Sequence, residues 1–394
     1  MNRFALIHLN ILLILGSFVG AFKIHPPHSI STVTRRTGQE FLQITAATAA
    51  TRVDDAITVD STSWGSPPPK IVIKRFHETW EWTHLGRKYK INYRVEGPRD
   101  GQPILLTHGF GANLNHFRYN IPSLVDAGFR VYAMDLLGFG ASEKPANATT
   151  VGFSIEMFSQ QMVDFITSRS DKNVEDTIQA PWILAGNSIG GLCSLQVAAR
   201  EPSTLPFDIA SVILFNSAGG MSGFRYSDIP AVLHPLMAHV QYFVLNPRFF
   251  HGSLVYNVIS QRTTIEPILK QAGIYRNVNN VDEELLRIFL EPAMDDGAKD
   301  VFLSIYGGPA GPTRESLLEA IAKKNRSTTM SRPISILALW GENDGFVPLD
   351  ETVKSWATTY SGFFHLEVLG NAGHCLHDEY PEEVNARVVA FLKK

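Results

Sequence analysis

The sequence predicts an α/β protein: a doubly wound, mostly parallel sheet with a helical cap inserted late in the chain. Three observations carry this. Short continuous apolar runs alternate with amphipathic stretches of helical period. One such run, residues 182–185, leads directly into the sequence Gly186-Asn187-Ser188-Ile189-Gly190-Gly191, which opens a helical pattern. Between Gly219 and Arg332 the alternation stops, and helical patterns follow one another without a strand.

The first fifty or so residues differ from the rest. Met1-Asn2-Arg3 is a short basic start, the run from Phe4 to Val19 is almost wholly apolar, broken by His8 and Asn10, and Val19-Gly20-Ala21 is a small-residue end. Residues 1–21 therefore read as a signal peptide. A membrane span needs about 20 apolar residues, which this run does not reach. Secretion, or anchoring through residues 4–22, stands as the alternative. Residues 22–53 carry Lys23, Arg35, Arg36 and Arg52 against the single acid Glu40, with abundant Ser and Thr. That composition reads as a plastid or mitochondrial transit segment. The order, with Ala21-Phe22 at the junction, resembles the bipartite presequences of algae with secondary plastids, which implies a plastid address. Residues 54–75, rich in Ser, Thr and Pro, read as a linker.

The core is expected over 76–218 and 333–394. Period-two alternation on either side of Gly86 predicts a hairpin. Runs at 104–107, 131–134, 182–185, 212–215 and 334–339 have the unbroken apolarity of parallel strands buried on both faces. Helices are expected near 116–126, 154–170 and 189–200, with right-handed crossovers between strands. Residues 219–332 form the cap, with helical stretches at 283–290 and 315–323 and many aromatics between Phe224 and Tyr306. With 44% hydrophobic and 19% charged residues among 394, the composition is that of a core-forming globular chain. A net charge of −3 excludes nucleic acid as an expected partner. Cys193 and Cys375 form no CxxC pair and read as small core residues.

The chemistry lies in the loops after the strands. The G-x-S-x-G pattern between a strand and a helix is a nucleophile elbow: a sharp turn that lifts the Ser188 hydroxyl clear of the backbone, with glycines where side chains would clash. A serine hydroxyl needs a base to take its proton. His374 stands in the loop after the last strand, whereas His377 lies three residues on and His108 belongs to another motif. The acid is expected after the penultimate strand, in Gly341-Glu342-Asn343-Asp344-Gly345. Asp344 is the choice, with Glu342 the competing acid nearer the strand end. His108-Gly109-Phe110-Gly111 follows an earlier strand, so the backbone N–H groups of Phe110 and Ile189 would form the oxyanion hole. His108 would brace that loop, and Asp135 would organise the turn Asp135-Leu136-Leu137-Gly138-Phe139-Gly140. No HExxH or similar ligand spacing occurs, so neither metal nor cofactor is expected.

As a set these residues resemble the α/β-hydrolase family with a cap domain, over about residues 80–394. Epoxide hydrolases and haloalkane dehalogenases of that family use an aspartate nucleophile, whereas this chain has Ser188, so their chemistry does not carry over. His108-Gly-Phe-Gly-Ala-Asn, His116-Phe-Arg-Tyr-Asn, Leu136-Leu-Gly-Phe-Gly-Ala-Ser and Gly373-His-Cys-Leu-His-Asp-Glu look like a plastid subgroup that includes pheophytinase-like enzymes, which cleave phytol esters. The resemblance implies a serine esterase acting on a bulky apolar ester, with peripheral association with plastid membranes. Acyl transfer to another acceptor, C–C hydrolysis and cofactor-free haloperoxidase chemistry could use the same triad. A ligand-binding hydrolase-fold protein without catalysis is the reading from a different class.

Overall fold

The computed structural model describes residues 74–170, 180–221, 231–239, 250–271, 273–327 and 333–394. The signal-peptide and transit-segment expectations fall outside these residues, as does the linker apart from Lys74 and Arg75. Among the described residues no helix is long and apolar enough to cross a membrane.

The strands are β1 (Glu78–His84), β2 (Arg87–Glu96), β3 (Pro103–Thr107), β4 (Arg130–Met134), β5 (Trp182–Asn187), β6 (Ile209–Phe215), β7 (Ser335–Gly341) and β8 (Phe364–Leu369). They form one sheet in the order β1-β2-β4-β3-β5-β6-β7-β8. The β1–β2 hairpin pairs antiparallel, as does β2 with β4, and every later pairing is parallel. Leu85 and Gly86 turn the hairpin with φ of 49° and 75°, the two positive values that a right-twisted two-residue turn requires.

Successive side chains of the central strands point to opposite faces, and both faces are covered. Leu105, Leu184, Val212, Leu214, Ile336 and Trp340 join one buried cluster with helices α2 (Ile155–Ser170) and α3 (Ile189–Ala199). Ile104, Leu106, Ile183, Ile213, Leu337 and Leu339 join the other with α1 (Asn120–Asp126) and the C-terminal helix. This two-sided burial explains why the strands carry no polar alternation in the sequence.

Between β6 and β7 lie α4 (His234–His239), α5 (Phe250–Ile259), α6 (Arg262–Gln271), α7 (Glu283–Ala293), α8 (Ala298–Tyr306) and α9 (Arg314–Asn325). No strand occurs among the described residues of this stretch. A separate cluster of Leu269, Ile274, Tyr275, Val281, Leu285, Leu286 and Ile288 holds α6 and α7 together and includes Cys375 from the core. Helix α9 packs differently. Its Leu317, Leu318, Ile321 and Ala322 belong to the same cluster as α3, so its apolar face covers the sheet although it lies in the stretch read above as cap. After β7 come α10 (Glu351–Thr359), α11 (Leu376–Glu379) and α12 (Pro381–Leu392).

Candidate active site

The loops after β3, β5, β6, β7 and β8 meet at the carboxyl edge of the sheet, where open α/β sheets place their ligands. Ser188 sits there on the turn between β5 and α3 with φ 55° and ψ −119°, a region that costs a non-glycine residue about 1–3 kcal/mol. The strain is held by its own backbone. Ser188 N–H donates to Phe215 O at 3.1 Å, and Ser188 O accepts from Leu192 and Ala218 N–H at 3.2 and 2.9 Å. The hydroxyl makes no capping bond to α3. A Cβ on Gly186 would lie 2.3 Å from the carbonyl carbon of Gly190, and one on Gly190 would lie 2.1 Å from Thr107 O. Both glycines are thus required by backbone approach.

Asp344 and His374 are both buried, and His374 Nδ1–H donates to Asp344 Oδ2 at 2.7 Å. The bond leaves the Nε2 lone pair free to accept a proton. Asp344 is held in turn: Phe346 and Val347 N–H donate to Oδ1 at 2.7 and 2.8 Å, and Asn216 Nδ2 donates to Oδ2. Glu342, the competing acid, is exposed to solvent. No hydrogen bond joins Ser188 Oγ to His374, whose Nδ1 edge is committed to Asp344.

Asn216, at the end of β6, was not singled out by sequence. It adopts φ 47°, accepts Gly341 N–H on Oδ1 at 3.0 Å, and also donates to Gly373 O at 3.2 Å. It therefore touches Asp344, the end of β7 and the loop of His374. Asn187 does similar work beside the serine, donating to Phe215 O at 3.0 Å and His374 O at 3.1 Å. Only its place inside the elbow motif hinted at a role.

The loop after β3 carries Phe110, whose N–H donates to no hydrogen bond among the described residues. Ile189 opens α3, so its N–H is one of the orphan amides at a helix N-terminus. His108 is fully buried, and burial lowers its pKa. Its Nε2 accepts Leu136 N–H at 3.0 Å, which places the proton on Nδ1, 2.7 Å from Gly109 O. The ring braces the loop as a neutral strut. Asp135 accepts Leu114 and Ala141 N–H, each at 2.7 Å, and a Cβ on Gly140 would lie 2.2 Å from its carboxylate.

Beneath His374 the motifs at 116–120 and 377–379 pack against each other and against the residues before α7. Arg118 is buried and grips Asp378 through Nε and Nη2 at 2.7 and 3.2 Å, while its Nη1 reaches Asp282 at 2.8 Å. Tyr275 OH donates to Asp378 Oδ2 at 3.0 Å and lies 2.8 Å from His116 Nε2. Burial, followed by the charge of Arg118, pushes His116 down to about 3, so it stays neutral. Both cysteines are buried free thiols whose pKa burial raises, Cys193 to about 12, which suits packing and not nucleophilic attack.

Above the site runs a row of rings. Phe346 stands 5.2 Å from the His374 imidazole. Phe110 meets Phe139 at 5.6 Å and Phe302 of α8 at 5.2 Å, and Phe302 continues to Tyr256 at 5.5 Å and Tyr306 at 5.9 Å. Of the other aromatics noted in this stretch, Phe224, Tyr226, Tyr242, Phe243 and Phe249 lie outside the described residues.

A family model described as the alpha/beta hydrolase fold matches residues 102–381. The chain belongs to the α/β-hydrolase fold family. This α/β-hydrolase is 27% identical over 348 residues to the chloroplastic pheophytinase of Arabidopsis thaliana, covering 82% of this chain and 68% of the relative. It is 28% identical over 307 residues to the dihydrolipoyllysine-residue acetyltransferase component of the acetoin cleaving system of Pseudomonas putida, covering 76% of this chain and 65% of that protein. Among solved structures, the bromoperoxidase from Bacillus anthracis superposes with a TM-score of 0.56 at 19% identity, over 80% of this chain and 100% of that one. That likeness establishes the fold.

Proposed function

We propose that this α/β-hydrolase cleaves a bulky, lipid-like ester through Ser188, His374 and Asp344. The observation that carries the reading is the buried bond from His374 Nδ1 to Asp344 Oδ2, on the same sheet edge as a strained, glycine-flanked serine. His374 Nε2 takes the Ser188 proton as Oγ attacks the carbonyl carbon. The oxyanion forms against the N–H groups of Phe110 and Ile189, aided by the positive end of α3. The alcohol then leaves with the proton from His374. Water, activated by the same imidazole, releases the acid from the acyl-enzyme.

The substrate class rests on the row from Phe110 through Phe302 to Tyr256 and Tyr306, which puts an apolar wall between the oxyanion loop and the cap. The 27% identical pheophytinase supports a phytyl or similar long-chain ester. Each CH₂ moved from water onto such a wall contributes about 0.8 kcal/mol, an upper limit of about fourfold in kcat/KM. Across p-nitrophenyl esters from acetate to palmitate, kcat/KM rises with chain length. Best activity on acetate would overturn the lipid-like substrate while leaving the triad in place.

We further propose that residues 1–53 address the protein to a plastid, where it meets membrane-borne substrate by peripheral association. The relative in Arabidopsis thaliana is a chloroplastic protein, which supports the address. In an alga with secondary plastids, a fluorescent fusion of residues 1–60 accumulates in the plastid, and replacing Phe22 arrests it outside. Fluorescence confined to the cell surface or the medium would contradict the address.

A further inference from the structure

Glu379 lies five residues after His374, at the end of α11, and is 2% exposed. Its Oε2 accepts the N–H of Gly373, the residue before the base, at 2.7 Å. Its Oε1 accepts the N–H of Arg276 at 2.7 Å and also that of Asn277, both on the segment between α6 and α7. The same segment pairs with the loops of the base and the acid through its carbonyls. His374 N–H donates to Gly273 O at 3.3 Å, Cys375 N–H to Ile274 O at 3.2 Å, and Gly345 N–H to Gly273 O at 3.2 Å. Gly273 has φ 73°, and a Cβ there would lie 2.8 Å from Gly345 N, so the approach depends on glycine. The cap segment 273–277 is thus bonded to the loops of both His374 and Asp344, and one carboxylate closes the bracket.

We propose that Glu379 is a positioning residue that couples the base to the cap: by holding the amide before His374 and two cap amides at once, it makes the alignment of His374 follow the seating of the cap. This rests on His374 being the base, as proposed above. A cap displaced by substrate entry or product release would drag residues 276 and 277, and through the carboxylate the His374 loop.

The clamp has a sign with pH. Burial outweighs the three amide donors and pushes Glu379 up from 4.5 to about 7. Arg276 faces it from the cap side; His374 and Cys375 adjoin it in the loop, and His377, Asp378 and Tyr380 flank it on its own turn, with Asp378 already engaged by Arg118. Ionised Glu379 accepts all three amides. Protonation puts an O–H among donors and weakens the bracket, so positioning improves as pH rises through about 7. Stability runs the other way. The folded state binds this proton more tightly than the unfolded state, so the stability it adds is full below about 4.5 and is lost between there and about 7.

The test uses the full chain, with p-nitrophenyl butyrate as substrate and fluorophosphonate labelling to confirm that the wild type is an active serine hydrolase. Glu379→Gln is expected to lower kcat by about 10- to 100-fold with little change in KM, the size of effect that misalignment of a reacting group by about 1 Å produces. The wild-type kcat/KM profile on the acid side is steeper than a single ionisation, and the variant profile reduces to one. The Tm of the wild type falls relative to the variant as pH rises from about 4.5 to 7. A variant with wild-type kcat and an unchanged profile overturns the proposal. Should the variant fail to fold, the wild-type profile decides alone, and a single ionisation overturns it. A wild type that neither labels nor hydrolyses would instead remove the esterase reading.

Discussion

Replacing Ser188 with alanine abolishes turnover, by about a millionfold, the loss that follows removal of the nucleophile in serine hydrolases. That corresponds to about 8 kcal/mol of barrier. The geometry makes the effect specific to chemistry. The hydroxyl caps no helix, and the strained backbone is held by Phe215, Leu192 and Ala218 through main-chain bonds that alanine retains. The variant therefore folds and binds substrate. A fluorophosphonate probe should label the wild type at Ser188 and leave the variant unlabelled. Labelling of the variant at the wild-type level would place the nucleophile elsewhere.

Asp344→Asn removes about ten-thousand-fold in kcat. An amide at Oδ2 presents either its NH₂ or its oxygen to His374 Nδ1. Phe346 and Val347 N–H, which donate to Oδ1 at 2.7 and 2.8 Å, outnumber the single donor Asn216 Nδ2 at Oδ2, so they hold the amide oxygen on their side and turn the NH₂ toward the imidazole. The ring then keeps its proton on Nε2 and can no longer accept one from Ser188. Glu342→Gln, at an exposed residue outside this network, leaves kcat near the wild type. The reverse outcome, a crippled Glu342→Gln beside an active Asp344→Asn, would show that the wrong carboxylate has been assigned.

The parallel strands were legible because burial on both faces strips them of polar residues. β5 and β6 extend the expected runs by two or three residues at one end. The elbow was legible because its pattern is local, although only Gly186 answers to a near neighbour, Gly190, while Gly190 answers to Thr107 on a distant strand. Asn216 was not. Nothing near it in the sequence marks an asparagine at a strand end as the partner of a carboxylate more than a hundred residues on, beyond the whole helical stretch between β6 and β7. Glu379 and Arg118 were quoted only as letters in motifs, since the partners that give them meaning lie on two stretches of chain, 276–282 and 373–378, that only the fold brings together. Helix α9 shows a further limit: an amphipathic pattern announces an apolar face without saying whether a sheet or a cap will cover it.

Asp282 serves two masters. It accepts the N–H of Leu285 at 2.7 Å as the N-cap of α7, and it receives Arg118 from the core at 2.8 Å. Arg118, 2% exposed, has its other edge committed to Asp378. If the first turn of α7 melted alone, a buried guanidinium would lose one of its two carboxylates and be left with Asp378 only. The start of α7 is therefore not an independent unit of local unfolding but part of the cooperative unit that contains the sheet. Breathing motions that admit a long substrate therefore either spare this knot or carry it whole, together with the neighbouring residues 276 and 277 that Glu379 ties to the His374 loop.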